Sequence, residues 1–203
     1  MDSLILASRS PRRRKILKEL EIPFIISQPE MHVERPVKGN RCIRQQVIRN
    51  SREKALNVSK QFTNGLILGV DTVVLIGSRV FEKPYGEDEA RKYLKMLSGR
   101  MHNVYSGITL IEIKNQRIIS GIANTEIYFK KLSSTEIDNY INSNEWVDKA
   151  GGYAIQGKAS FFIREIKGSF YNVVGLPVEL LYDILKRFNY FENNGKYRPL
   201  RKL

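Results

Sequence analysis

The sequence has very little cysteine and histidine, and this shortage narrows the chemistry open to the protein. Of its 203 residues, one is cysteine and two are histidine. The single cysteine, Cys42, excludes an intramolecular disulfide framework and a cysteine-rich zinc site. His32 and His102 lie far apart and form no ligand pair at helical spacing. No companion motif for a nucleophile surrounds Cys42, so we expect an ordinary cysteine there.

Long hydrophobic runs are also missing. No apolar stretch reaches the ~20 residues that a membrane-spanning helix needs. The chain begins with a short apolar stretch over residues 4–7 and becomes rich in arginine immediately afterwards. A secretory signal would place the charge first and a longer apolar segment second. We therefore expect a cytoplasmic protein without a membrane segment.

Acidic residues are scarce relative to basic ones. The chain has 21 Asp and Glu residues against 34 Lys and Arg residues, which gives a formal net charge of +13. Such an excess attracts phosphate-bearing metabolites, nucleic acid or anionic membranes, and charge alone does not choose among them. The basic residues concentrate in residues 9–18, in residues 35–60 and in the tail after residue 193.

The composition and patterning that remain are those of a folded α/β protein. The chain is 42% hydrophobic and 27% charged, which is ordinary for a globular domain with a substantial core. Apolar runs typical of strands alternate with helical patterns, and no linker divides the chain. Predicted strands cover about 4–7, 22–27, 66–76, 80–81, 102–113, 117–129 and 159–166, and predicted helices about 11–20, 41–60, 86–97, 133–141 and 178–188.

Residues 6–13, with the sequence LASRSPRR, predict a strand, a tight turn and a helix start. Ser10 suits the N-cap and Pro11 the first helical position. The unpaired N–H groups and the dipole of a helix start form a seat for phosphate. Arg12 and Arg13 beside it are suited to grip phosphate oxygens with paired hydrogen bonds. The alternative is a solvated basic helix end, although arginines in a first turn oppose the helix dipole.

Asp71 is the one acid inside the apolar run 66–76. A carboxylate there is costly unless it is paired, binds a metal or lies on a cleft wall. The run beginning at Thr72 should hold it rigidly. Such a group either binds a divalent cation or positions and deprotonates a water molecule, and the sequence leaves both roles open. The alternative is a strand-edge aspartate that faces solvent.

Two lysines and one glutamine complete the candidates. A short hairpin precedes Lys83 and is expected to return it beside Asp71. Lys54 lies on the long basic helix, and its spacing alone does not distinguish it. Gln156 lies in a glycine-bearing stretch, where its amide can both donate to and accept from the edge of a base.

Taken together, these segments resemble the Maf family of nucleotide pyrophosphatases, also described as septum formation inhibitor proteins. The resemblance spans about residues 2–188 and rests on seven collinear segments: LASRSPRR at 6–13, SREKA at 51–55, GVDTVV at 69–74, EKP at 82–84, HNVYSGITL at 102–110, DKAGGYAIQG at 148–157 and GSFYNVVGLPVELL at 168–181. It implies an elongated α/β fold similar to inosine triphosphate pyrophosphatases, with a mixed sheet and two lobes around a central cleft. One domain over 1–188 would precede a basic tail over 189–203.

The resemblance also implies an active site and a reaction. By position it assigns to the site Ser8, Arg12, Arg13, Glu34, Lys54, Asp71, Thr72, Lys83 and Gln156. Asp71, Lys54 and Lys83 are expected to be catalytic, and Asp71 and Glu34 to bind Mg²⁺ or Mn²⁺. Glu34 and the remaining residues of the set are expected to bind substrate. The DKAGGYAIQG segment is similar to the branch that acts on dTTP and UTP. The expected reaction is metal-assisted attack of water on the α-phosphate, which gives the monophosphate and pyrophosphate.

Several points stay open at this level. Ser8 and Gln156 are expected to read the O4 and N3–H edge shared by uracil and thymine, but another base preference, including modified nucleotides, remains possible. A non-catalytic role in nucleic-acid binding or cell division is the alternative function, although no recognised nucleic-acid module is present. A homodimer follows from the resemblance alone. The basic tail is the candidate for weak contact with nucleic acid.

Overall fold

The computed structural model describes residues 3–30, 33, 35–37, 39 and 42–194, and over these the fold combines strands with helices. The strands are β1 (Leu4–Ala7), β2 (Phe24–Ser27), β3 (Leu66–Ile76), β4 (Arg79–Phe81), β5 (Met101–Glu112), β6 (Arg117–Phe129) and β7 (Ile163–Lys167). The α-helices are α1 (Pro11–Glu19), α2 (Ile43–Ser59), α3 (Glu87–Leu97), α4 (Ser134–Ile141), α5 (Phe170–Val174), α6 (Val178–Arg187) and α7 (Tyr190–Asn194). Two 3₁₀ helices cover Ala150–Gly152 and Lys158–Phe162.

All seven strands belong to one mixed sheet, which confirms the predicted α/β class. The strand order is β2-β1-β3-β5-β6-β7, and β4 pairs with β3 outside this path. β1 is parallel to both of its neighbours, whereas the pairs from β3 through β7 are antiparallel. The register of β3 with β5 places Asp71 opposite Gly107. The predicted site strand is therefore central in the sheet.

The two faces of β3 pack against different parts of the protein, because successive side chains of a strand point to opposite faces. Leu66, Leu68 and Val70 belong to the large core cluster. Ile67 belongs to a smaller cluster that includes Ala55 of α2. Asp71 is an even number of residues from Ile67, so its side chain points to the face that α2 covers.

Helix α2 lies directly on the sheet because two glycines beneath it carry no side chain. A Cβ atom at Gly69 would overlap the Ser51 carbonyl oxygen, and one at Gly107 would lie 2.7 Å from the Val47 carbonyl oxygen. This close approach brings the inner face of α2 to the middle of β3, where Asp71 lies.

The described structure also corrects parts of the sequence-based assignment. The first half of the predicted strand 159–166 is wrong, because residues 158–162 form a 3₁₀ helix and β7 begins at Ile163. The Glu145 carboxylate accepts the Lys158 backbone N–H at 2.8 Å and holds the start of that helix. The short helices α5 and α7 were not predicted. In α7, Tyr190 and Phe191 are buried in the main core, so the packed part of the chain extends past residue 188.

No helix in the described part of the chain has both the length and the apolar character needed to span a membrane.

Candidate active site

A cleft with a volume of about 650 Å³ lies where the end of β1, the middle of β3, the start of α1 and the end of α5 meet. Its wall includes eight of the nine predicted site residues: Ser8, Arg12, Arg13, Lys54, Asp71, Thr72, Lys83 and Gln156. The ninth, Glu34, lies outside the described residues. Long-range strand pairing thus brings together residues that are spread over 149 positions of the sequence, from 8 to 156. The roles assigned to them stay predictions.

Asp71 is buried, and Lys54 of α2 holds it. The Lys54 ammonium donates to Asp71 Oδ1 at 2.8 Å and to the Val70 carbonyl oxygen at 3.2 Å. The two side chains are only 5% and 8% exposed, respectively. The structure excludes the alternative of a strand-edge aspartate facing solvent. It also gives Lys54, which the sequence did not distinguish, a direct contact with the central carboxylate.

Asn50 is the residue that the sequence analysis missed. Its side-chain amide donates to Asp71 Oδ2 at 3.1 Å and to the Arg35 carbonyl oxygen at 2.9 Å. Its amide oxygen accepts the Arg35 backbone N–H at 3.3 Å. Asn50 precedes Lys54 by four residues, so both lie on one face of α2. This spacing was the only signal in the sequence that pointed to Asn50.

Arg13 is embedded in the frame of the cleft. Its guanidinium donates to the Gly175 carbonyl oxygen at 2.8 Å, to Ser8 Oγ at 3.0 Å and to Thr72 Oγ1 at 3.2 Å. Ser8 Oγ also accepts the Ser10 backbone N–H at 3.2 Å, where the chain turns into α1. These bonds join α1, β3 and the end of α5. Arg13, Ser8 and Thr72 therefore hold the wall together, and base reading by Ser8 stays a prediction.

Arg12 brings positive charge to the start of α1. Its Nε donates to the Val174 carbonyl oxygen at 3.2 Å, and its Nη2 donates to the Asp148 carbonyl oxygen at 3.5 Å. Burial lowers the pKa of Arg12 from its ordinary value, against the opposing effect of the Asp148 charge. The first turn of α1 contains no acid. The arginine charge and the positive end of the helix dipole are unfavourably close to each other there. An anion bound at this point would interact favourably with both.

Two lysines extend the positive charge along the cleft. Lys83 lines the same cleft as Asp71. The ion pair that the structure shows for Lys83 is with Asp148 at 3.7 Å, and both side chains are mostly exposed. Lys149 also lines the cleft. Burial first, and then the charge of Arg12, lowers the pKa of Lys149. Mutual repulsion among these cations is the electrostatic condition that an anionic ligand relieves.

His102 supports the glycine-bearing wall of the cleft through Tyr153, which lines the cleft. The Tyr153 hydroxyl lies 2.7 Å from His102 Nε2, and the two rings meet edge to face. Burial lowers the pKa of His102 to about 3, and burial raises the pKa of Tyr153. Both side chains are therefore neutral at ordinary pH, so this pair anchors the wall without adding charge to it.

The donor atoms of the cleft fit a divalent cation that is bound together with a phosphorylated ligand. Each oxygen of Asp71 has two lone-pair sites, and the bonds from Lys54 and Asn50 use one on each. In the described ranges, no group of three or more His, Cys, Asp or Glu residues is placed to hold a metal. Mg²⁺ commonly binds through one or two carboxylates plus substrate phosphates, so Asp71 suits that mode rather than an all-protein cage.

The chain is an α/β protein whose mixed sheet carries a basic cleft. The cleft wall contains a helix start and a buried carboxylate paired with lysine, and this combination suits the binding of phosphorylated ligands. The family model described as Maf-like protein matches residues 3–188. The chain therefore belongs to the Maf family.

Individual relatives cover almost the whole chain. A protein of Thermoanaerobacter sp. is 42% identical over 185 residues, which is 91% of this chain and 95% of the relative. A protein of Clostridium acetobutylicum is 44% identical over 191 residues, which is 90% of this chain and 96% of the relative. Both relatives are named dTTP/UTP pyrophosphatase.

A solved structure agrees with the architecture. The structure of a HAM1 protein from Coxiella burnetii matches with a TM-score of 0.52 at 17% identity, covering 92% of this chain and 100% of that one. At this identity the match establishes the fold alone, in agreement with the mixed sheet and its helices.

Proposed function

We propose that this protein hydrolyses nucleoside triphosphates, with dTTP and UTP as the preferred substrates, to the monophosphate and pyrophosphate. The observation that carries the proposal is the Asp71 carboxylate, held by Lys54 at 2.8 Å on the wall of a basic cleft. Relatives named dTTP/UTP pyrophosphatase cover at least 90% of the chain at 42–44% identity, and they support the substrate class.

The cations of the cleft bind the triphosphate in this proposal. Arg12, Lys83 and Lys149 line the cleft together with the start of α1. Guanidinium and ammonium groups neutralise phosphate oxygens, and those near the β- and γ-phosphates stabilise the charge that builds up on departing pyrophosphate. Binding of a triphosphate explains why these positive charges lie close together although they repel one another.

Asp71 faces the reacting atoms. Water attacks the α-phosphorus, the bond from that phosphorus to the oxygen bridging to the β-phosphate breaks, and pyrophosphate leaves. Asp71 orients the water or accepts its proton, and Lys54 keeps the carboxylate in place. Mg²⁺ or Mn²⁺, held by Asp71 and by Glu34, would supply positive charge against the phosphate oxygens.

The base is recognised at the far wall of the cleft. Gln156 lines the cleft and is exposed, so its amide is accessible to a ligand. A carboxamide can donate to O4 and accept from N3–H, which uracil and thymine share, with Ser8 as the second reader. Cytosine reverses that pattern and would leave polar groups unpaired.

Four further parts of the proposal concern the whole chain. We propose that residues 1–188, together with the packed residues Tyr190 and Phe191, act as one domain. We also propose that the enzyme works in the cytoplasm and that it forms a homodimer, which light scattering on the purified protein tests. The basic residues after 194 make weak contact with nucleic acid. Removal of residues 195–203 should weaken salt-sensitive binding to DNA or RNA while hydrolysis continues.

A panel of nucleoside triphosphates tests the proposal. Each nucleotide is incubated with the full chain in Mg²⁺, in Mn²⁺ and in chelator, and pyrophosphate and orthophosphate are measured separately. We expect pyrophosphate from dTTP and UTP in the presence of either metal. Absence of pyrophosphate from every nucleotide, or release of orthophosphate alone, would refute the proposed reaction.

A further inference from the structure

We infer that Asn50 is a positioning residue of this site: it fixes the Asp71 carboxylate and joins it to the backbone at residue 35. The inference rests on the proposed function, because it gives Asn50 a task in that same reaction. Asn50 is only 2% exposed and is absent from the cleft wall, so it acts through Asp71 rather than on the substrate.

The hydrogen bonds of Asn50 are fully committed. An asparagine side chain has two N–H donors, and here one goes to Asp71 Oδ2 and the other to the Arg35 carbonyl oxygen. The amide oxygen accepts the Arg35 backbone N–H. The buried Asn50 side chain thus forms two hydrogen bonds with the backbone of Arg35 and a third with the Asp71 carboxylate.

The bond to Asp71 restricts a rotation that the Lys54 bond alone leaves open. The terminal torsion of an aspartate side chain is broad, so a carboxylate held at one oxygen can still turn. Lys54 holds Oδ1 at 2.8 Å and Asn50 holds Oδ2 at 3.1 Å. With both oxygens held, the plane of the carboxylate is fixed, and its remaining lone pairs keep one direction relative to the cleft.

The same side chain fixes the neighbouring segment. Arg35 is also held by an ion pair with Glu53 of α2 at 3.3 Å. Residue 35 directly follows Glu34, the second carboxylate that the family resemblance assigns to the site. Asn50 therefore connects Asp71 to the backbone of the residue that follows Glu34.

Two substitutions test this role. Asn50→Leu removes all three hydrogen bonds at similar volume. Asn50→Asp keeps the shape and the acceptor but loses both donors and places a second negative charge beside Asp71, and it serves if the leucine variant does not fold. We expect kcat on dTTP with Mg²⁺ to fall about 10–100-fold in both, the range for residues that support a functional ligand. KM should change little, because Asn50 does not line the cleft.

Ser51→Ala is the matched control. Ser51 is buried on the same helix, and its hydroxyl bonds the Ile48 carbonyl oxygen at 2.7 Å and Thr109 Oγ1 at 2.9 Å, without touching Asp71. This variant loses buried hydrogen bonds of comparable number, so it reports general destabilisation. We expect its kcat and KM to match those of the unmodified protein.

A spectroscopic measurement without nucleotide makes the inference independent of activity. The carboxyl carbon resonance of Asp71, recorded on ¹³C-labelled protein, should shift in both Asn50 variants and stay in place in Ser51→Ala. An unshifted resonance, an unchanged kcat, or a loss that lies entirely in KM would overturn the role of Asn50. If the unmodified protein releases no pyrophosphate from any nucleotide, the proposed function fails, and the resonance still decides whether Asn50 holds Asp71.

Discussion

The Asp71–Lys54 ion pair is an expensive feature for a protein to keep. Removing two charges from water costs several kcal/mol per ion. Their mutual attraction offsets this desolvation cost only when the geometry is good. Apolar residues of similar volume would often fill such a place without loss of stability. An apolar residue such as leucine would therefore stabilise the fold about as well as this ion pair does. Its position on the wall of a basic cleft agrees instead with the catalytic role proposed for Asp71.

Asp71→Asn should nearly abolish turnover. The amide keeps the size of the side chain but has no negative charge to orient a water molecule, accept its proton or bind a cation. We expect kcat/KM on dTTP to fall by a factor of about 10²–10⁴, the usual contribution of a positioned acid or base. Pyrophosphate release at several substrate concentrations measures it.

Asp183→Asn is the control for this substitution, because Asp183 is an exposed acid on α6 and does not line the cleft. Its activity should equal that of the unmodified protein, and thermal unfolding should show both variants folded. Normal turnover in Asp71→Asn would remove this carboxylate from the mechanism.

At the scale of elements, contact between α2 and the sheet forms the site. Asn50 and Lys54 reach Asp71 because Gly69 and Gly107 let the helix backbone lie against β3 and β5. A shift of the helix by the width of a methyl group would lengthen both hydrogen bonds. The geometry of the carboxylate thus depends on two glycines that do not line the cleft.

Gly69→Ala should reduce both stability and activity. The added methyl group would overlap the Ser51 carbonyl oxygen and lie 2.9 Å from Ala55, so α2 must move away from β3. Overpacking of this kind typically costs about 1–3 kcal/mol. Urea unfolding measures the loss, and kcat on dTTP should fall with it.

Gly86→Ala provides the comparison, since no atom lies within 4 Å of a Cβ built there and its backbone is extended. It should leave stability and kcat unchanged. Equal behaviour of the two variants would show that the helix does not depend on the glycine for its position.

Some elements were predicted from the sequence more accurately than others, for physical reasons. The strand Leu66–Ile76 was predicted to the residue, because its apolar run is long and bounded by glycines. The 3₁₀ helix Lys158–Phe162 was not, because the distant Glu145 carboxylate holds its first N–H group. Asn50 was missed because its contact with Asp71 depends on the strand register that places Asp71 under α2. Local patterns predict elements, whereas long-range contacts decide which side chains meet.

At the scale of the whole molecule, a buried histidine links the cleft wall to acid stability. His102 is fully buried, and burial lowers its pKa from 6.5 to about 3. When the chain unfolds, this ring regains its ordinary pKa. Between about pH 6.5 and pH 3 the unfolded state therefore binds one more proton at His102, so the free energy of unfolding falls as the pH falls through that window.

His102→Gln should flatten that dependence. The amide can still bond the Tyr153 hydroxyl but does not titrate, so the extra proton of the unfolded state disappears. Within the window, the slope should decrease by about 1.4 kcal/mol per pH unit relative to the unmodified protein. Urea unfolding between pH 4 and pH 6 measures it. Identical slopes for the two proteins would mean that the buried ring takes up a proton in the folded state.

The whole molecule also determines where the reaction takes place on the substrate. The cations Arg12, Lys83 and Lys149 line the same cleft as Asp71. In the proposed function, a triphosphate bound along them would have one phosphorus atom near the carboxylate. The proposed reaction requires that atom to be the α-phosphorus. The proposed function therefore depends on which phosphorus atom the water attacks.

Hydrolysis of dTTP in water enriched with ¹⁸O identifies the attacked atom. Mass spectrometry of the products reports which one carries the oxygen from water. We expect one ¹⁸O atom in the thymidine monophosphate and none in the pyrophosphate. Label in the pyrophosphate would show attack at the β-phosphorus, and would contradict the reaction proposed for this cleft.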